Sequence, residues 1–515
     1  MNKPVAPGRI RWAVVCLALA ASGAVPAAAG ATSSPVEVIV QMDAGRSAAA
    51  AKAAVRADGG KVTGELPIIN GFAAKLPQAA ADRLEDADGV KAVSANAEVA
   101  PQGISLSRLQ TAYPASVDAP QLWNYETNVN GKGVGVAVID TGVAGGMPDF
   151  RATGTSSSRV IANAVTNPDA QTPGDAYGHG THVAGIIAGN SWNRSVSDGL
   201  RGKYVGIAPE ANLISVKVSD DAGDASVLDV IYGLQFVVDN KAAYNIRVVN
   251  LSLESTAVGS YKTDPLNAAV ESAWFKGIVV VTAAGNRGSA ADAVSRAPGN
   301  DPYVITVGAY DDQASNADGD DSRPAWSSRG ITADGFAKPE IHAPGSAIVS
   351  TLAPNSAFSR MCPTCIVDGQ MIRAGGTSMA APMISGTVAL LLQHFPQLTP
   401  NQVKGMLTRN ARLINAKYPA VEAYKTLEAA YYGRTAPVNT SGIVPNDIVN
   451  ATTGDIDYSR SSWSRSSWST ADGGLTADFA RSSWSRSSWS STDSSGVDTT
   501  RSSWSRSSWS TSWDK

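Results

Sequence analysis

The chain is predicted to be an α/β protein. Its main body reads as a doubly wound, mostly parallel sheet with helices on both faces, preceded by a small α+β unit of ferredoxin-like order. Three observations predict this. From about residue 121 to 435, short apolar runs alternate with helical stretches, the pattern of parallel strands covered on both faces. Residues 36–100 carry strand-like and helix-like segments of their own, separate from that alternation. Beyond about residue 450 aliphatic residues nearly vanish, so that stretch cannot build a core.

The bulk numbers fit several units. A chain of 515 residues with 43% apolar and 17% charged residues has ample material for a core. A net charge of −3 gives no sign of a polyanion partner such as nucleic acid, and none is expected. Residues 1–30 read as a secretory signal, with Lys3, Arg9 and Arg11 ahead of the apolar run "WAVVCLALAASGAV" and the small-residue stretch "PAAAGA". No later stretch is long and apolar enough for a transmembrane helix, so the mature chain is expected to be secreted. The expected divisions are 1–30, 31–105, 106–435 and 436–515. Export leaves Cys362 and Cys365 in "MCPTC", which an oxidising compartment is expected to close into a small disulfide ring. A redox role lacks a thioredoxin-like context, and zinc would need two further ligands where His342 is one.

The elements justify themselves in order. "VEVIVQM" alternates as a strand, "SAAAAKAAVRADGG" is a helix ending in Gly, and "KVTGEL" and "GFAAKLP" are strands. "AAADRLEDADG" is a second helix and "VKAVSANAEV" a last strand. In the main body the apolar strands are 134–140, 211–218, 246–253, 277–285 and 303–309, with helices at 227–240 and 264–277. "GKGVGV" (131–136) looks like a dinucleotide-binding loop. Its glycines precede a strand instead of following one, so no helix N-terminus is there for a phosphate.

Function in such sheets sits at the carboxyl ends of strands, and four polar groups stand there. "VAVIDTGV" ends its apolar run on Asp140; "YGHGTHVAG" places His179 at the start of a small-residue helix. "VTAAGN" ends on Asn286, and "GGTSMAAPM" places Ser378 at another helix start, with Pro382 expected in the first turn. Each has a bland reading. Asp140 also suits a turn before Thr141-Gly142, and Asn286 a turn before Arg287-Gly288. His179 and His182 stand three apart without the glutamate of a metalloprotease helix, and His182 reads as a core histidine.

With its motifs "VAVIDTGV", "GHGTHVAG", "AAGN" and "GTSMAAP" in that order, the chain resembles the subtilisin-like serine proteases over nearly all of residues 35–435. The resemblance implies a Ser378 nucleophile, a His179 base and an Asp140 that orients the imidazole. Asn286 and the Ser378 N–H would receive the oxyanion. It implies polypeptide substrates bound by strand addition against Asp224, Ala225 and Ser226 and against Ser252, Leu253 and Glu254. The family commonly has Gly where Glu254 stands. A carboxylate there either points to solvent or lies on the pocket wall, where it would narrow the pocket or attract a Lys or Arg before the scissile bond. The insertion 355–375, with its cysteine pair, would stiffen the leaving-group side. No cofactor is implied for the chemistry. Asp149 matches a position that often ligates a structural calcium ion, although the loop that would complete such a site is lengthened. The amino-terminal unit resembles the family's propeptide, an intramolecular inhibitor cut away between Val99 and Pro114.

The tail repeats "RSSWS" six times. Tryptophans five apart align on one face of neither a helix nor a strand. An aromatic and arginine array suits stacking on cell-wall sugars or an export tag, and a solvated spacer suits it as well. Two functions follow for the whole chain: a secreted serine endopeptidase made as an autoprocessed zymogen, or a catalytically retired, wall-associated binding protein.

Overall fold

The computed structural model describes residues 35–455, apart from 44, 68, 69, 96–107, 124–127, 440 and 441, together with Arg501 and Ser502. The expected signal, residues 99–107 of the expected junction and nearly all of the repeat tail lie outside the described residues. The chain divides into two compact units, Met1–Gln102 and Gly103–Lys515.

The first unit is built of strands Val36–Met42, Lys61–Leu66, Gly71–Leu76 and Val90–Ala95, with helices Ala49–Ala57 and Gln78–Glu85. The strands lie in the order second, third, first, fourth, and every pairing is antiparallel. Alternation decides which face is covered. Val38, Val40 and Met42 point to the same side as Phe72, Ala74 and Leu76, and all are buried with Val55 and Leu84 of the helices. This is the ferredoxin-like order expected.

The second unit centres on a nine-stranded sheet. Its order is Arg412–Ile414, Tyr418–Ala420, Ile341–Pro344, Ile305–Tyr310, Val279–Ala283, Ile246–Leu251, Gly135–Asp140, Asn212–Lys217, Val160–Val165. All neighbours are parallel except the edge pair 412–414 and 418–420. The five strands expected from apolar runs are all present. The others are short or half-exposed: Val160–Val165 alternates between partly covered and exposed positions at the sheet edge, so it lacks the continuous apolar run of a central strand. Gly135–Asp140 is flanked by Asn212–Lys217 on one side and Ile246–Leu251 on the other. The chain therefore reverses its direction of winding beside Asp140, where such sheets hold ligands.

Helix Thr377–His394 is buried from Thr377 through Leu392 and packs against helix His179–Ala188. Pro382 is not in its first turn but sixth in the helix. A proline there removes the N–H that would bond the carbonyl of Ser378, and that carbonyl accepts from the Ser252 hydroxyl instead, at 2.9 Å. Past residue 435 the chain continues across the unit. Tyr303 and Tyr261 donate their hydroxyls to the carbonyls of Ile443 and Val444, at 3.1 and 2.6 Å. Asn446 donates its N–H to buried Glu271 at 2.8 Å. Among the described residues no helix is long and apolar enough to cross a membrane.

Candidate active site

Asp140 ends the central strand, fully buried, and its Oδ1 accepts from the Thr141 N–H and faces His179 Nδ1, each at 2.7 Å. A carboxylate only accepts, so Nδ1 carries the proton and the lone pair of the imidazole is on Nε2. The helix holding His179 is fixed by a residue that the sequence reading missed. Asp175 accepts from the N–H groups of Gly178 and Thr181, both at 2.7 Å, and from the Thr141 hydroxyl at 2.8 Å. One side chain thus ties the helix start to the strand end that carries Asp140. Burial raises its pKa above the ordinary carboxylate value, although these hydrogen bonds oppose the shift. An aspartate three residues before a Gly-His helix start was a readable capping signal.

His182, one turn on, does different work. It is fully buried and its Nε2 donates to the carbonyls of Ile348 and Ile372 at 3.2 and 3.0 Å. Burial, then the neighbouring His179, lowers its pKa to about 3, so it is a neutral core histidine. Phe358, from the insertion, lies edge-on to the His179 ring with centroids 6.0 Å apart and is itself fully buried. Its N–H bonds the Tyr177 carbonyl at 2.9 Å. The insertion therefore contacts the imidazole side through an aromatic ring. Cys362 and Cys365 stand paired beyond it, with Cα atoms 5.3 Å apart.

Ser378 is the second residue of its helix, where backbone N–H groups have no partner within the helix. Its hydroxyl donates to the Ser252 carbonyl at 3.2 Å while its carbonyl accepts from the Ser252 hydroxyl. Asn250 Nδ2 donates to that hydroxyl at 2.9 Å and Ser385 donates to Asn250 Oδ1 at 2.9 Å. Asn286 is oriented by Thr377, whose N–H and hydroxyl both bond Asn286 Oδ1, at 2.9 and 3.1 Å. The amide nitrogen of Asn286 is thereby turned outward beside Gly376. A Cβ on Gly376 would come within 3.3 Å of that nitrogen, and its φ of +150° is one that side chains disfavour. Glycine at 376 keeps the donor accessible.

The two expected peptide-binding edges have distinct supports. Ser226 and Asp229 form a capping box on helix Val227–Asp239, which fixes the strand Ala225–Ser226. The edge of that strand pairs antiparallel with Arg501–Ser502 of the repeat tail. The other edge, Ser252 to Glu254, follows the strand Ile246–Leu251 directly. Glu254 does not simply point to solvent: its Oε1 is 3.4 Å from Arg287 Nε, and its carboxylate lies where a Cβ on Gly285 would be.

Asp149 sits in the turn Pro148–Phe150 with both carboxylate oxygens taken by Arg194, at 3.0 Å to Nε and 2.5 Å to Nη2. Both side chains are 1% exposed. The Asp149 carbonyl accepts from Arg159 and from the Asn190 N–H. A calcium ion needs roughly six to eight oxygen ligands. Here a guanidinium already saturates the carboxylate, so this donor set does not fit calcium. Among the described residues no group of three or more His, Cys, Asp or Glu side chains could hold a metal.

Comparison with known proteins places the chain in a class. The chain belongs to the subtilase family of serine proteases, whose profile, Peptidase S8, matches residues 131–444. A peptidase inhibitor domain profile matches residues 21–96. Serine protease AprX of Bacillus subtilis (strain 168) is 36% identical over 374 residues, 72% of this chain and 77% of the relative. Subtilisin E of the same organism is 31% identical over 401 residues, covering 76% and 89%. Fervidolysin from Fervidobacterium pennivorans, a keratinolytic enzyme, is similar in structure with a TM-score of 0.48 and 26% identity over 80% of this chain and 62% of that one.

Proposed function

We propose that the chain is a secreted serine endopeptidase that works through a Ser378 acyl-enzyme, and is made as a precursor that removes its own amino-terminal unit. The observation carrying the reading is the buried 2.7 Å pair between Asp140 and His179 at the winding reversal of the sheet. It holds the imidazole in the tautomer whose Nε2 can take a proton from serine. Attack by Ser378 Oγ on a peptide carbonyl forms a C–O bond and moves the hydroxyl proton to His179. Collapse expels the amine, to which His179 returns that proton, and water then repeats the sequence to release the acid. The charge on the carbonyl oxygen is taken by Asn286 Nδ2 and the Ser378 N–H. The Asp140 carboxylate stabilises the imidazolium formed in each half. Export rests on the residues 1–30, and the Cys362–Cys365 pair is read as a closed ring in the exported enzyme. The tail is read as a contact for wall glycans; deleting 455–515 should release cell-bound enzyme, and an unchanged partition would refute that contact.

The test is maturation. Ser378→Ala and His179→Ala should each accumulate as the uncut precursor in the medium, while the parent chain appears shortened at its amino end. Normal shortening of both variants in a host lacking other proteases would overturn self-processing.

A further inference from the structure

The slot beside Ser378 carries a charge that the chemistry does not use. On the serine-protease reading, the edge Ser252–Glu254 receives the substrate and forms one wall beside Ser378, which Ser252 bonds twice, and the stretch through Gly285 to the oxyanion donor Asn286 forms the other. Glu254 reaches from the first wall across to the second. Its carboxylate covers Gly285, where any Cβ would collide with it, and Gly285 itself has a φ of +93°. Its side chain is 25% exposed, so the group is neither out in solvent nor sealed off. Arg287 is the one cation within ion-pair distance among the described residues, at 3.4 Å, on a side chain that is 42% exposed. Arg296 and Asp292 stand farther round the same carboxylate, and those two pair with each other at 2.6 Å.

We propose that Glu254 makes this slot a cation pocket, so that the enzyme cuts after lysine or arginine, with Arg287 as the counter-ion that the substrate side chain displaces. Three features support it. A carboxylate lying across the slot shortens the room for a large apolar side chain and leaves it against a charge, which is costly without a partner. Burial raises the Glu254 pKa despite both arginines, so the group is under-compensated and gains from a further positive charge. Arg287 is exposed and long, and can leave the pair at little cost because a half-exposed ion pair contributes little.

The test uses the mature enzyme with peptide p-nitroanilides that differ only in the residue before the scissile bond: Lys, Arg, Phe and Leu. Lys or Arg should give the highest kcat/KM. Glu254→Gln should lower the Lys-to-Phe ratio roughly ten- to a hundredfold, the range of a charged hydrogen bond, and Arg287→Gln should raise that ratio. A wild-type preference for Phe or Leu, or a ratio unmoved in Glu254→Gln, overturns the pocket. Should Glu254→Gln fail to fold, the wild-type profile and Arg287→Gln still decide. Fluorophosphonate labelling separates the two readings. Labelled enzyme with an apolar preference refutes the cation pocket alone, whereas no labelling and no cleavage of any peptide refutes the protease.

Discussion

At Ser378 the main chain and side chain are held by the same neighbour. Pro382 frees the Ser378 carbonyl, Ser252 fills it, and the Ser378 hydroxyl returns a bond to the Ser252 carbonyl. Ser252→Ala should therefore strand a buried acceptor at a cost of about 1–3 kcal/mol. Denaturant unfolding of the inhibitor-blocked enzyme measures it, and an unchanged midpoint would contradict the pairing. Asn286 stands apart from this pair, with its carbonyl oxygen tied to Thr377. On the proposed mechanism, Asn286→Ala should lower kcat roughly 10²- to 10³-fold, because the amide would act on the transition state. Steady-state kinetics should show little change in KM, and a loss confined to KM would assign Asn286 to substrate binding.

At the scale of elements, the legible parts were those whose signal is local. Asp140, His179, Asn286 and Ser378 each end an apolar run or begin a small-residue helix. Arg194 and Phe358 were not legible, because their partners are remote: Arg194 meets Asp149 across 45 residues, and Phe358 meets His179 from an insertion. The Arg194 pair has a consequence for calcium. With the guanidinium in place, a chelator should leave the wild-type melting temperature unmoved. Arg194→Gln would leave Asp149 charged and buried, a loss of about 3–5 kcal/mol. Thermal scans of inhibited enzyme with EDTA and with calcium check both; a chelator-induced drop that Asp149→Asn abolishes would restore calcium to this turn. Phe358→Ala empties a buried site beside His179 and should cost about 3–5 kcal/mol, read in the same unfolding assay.

Across the whole molecule, the chain separates into a small antiparallel unit and a large parallel one, and the large one is closed by its own continuation. In that continuation the Asn446 N–H bonds Glu271 and Asp455 pairs with Lys276 at 2.5 Å. Glu271 and Asp301 are both buried, and burial, then the Asp301 charge, pushes the Glu271 pKa well up. A carboxyl whose folded pKa is raised gives its stabilisation in full below its unfolded pKa and loses it as pH rises through the folded one. Stability of the large unit should therefore decline from mildly acidic to alkaline pH, and Glu271→Gln should flatten that decline. Urea midpoints across the range check it, and parallel slopes would contradict it. The central claim is chemical: one serine among many is activated by a buried imidazole and carboxylate. Its most direct test is to treat the purified enzyme with a fluorophosphonate and map the adduct by peptide mass. One adduct at Ser378, rising as activity falls and missing from His179→Ala, is the predicted result. Full activity after modification of Ser378, or loss of activity with the adduct on another residue, would contradict it.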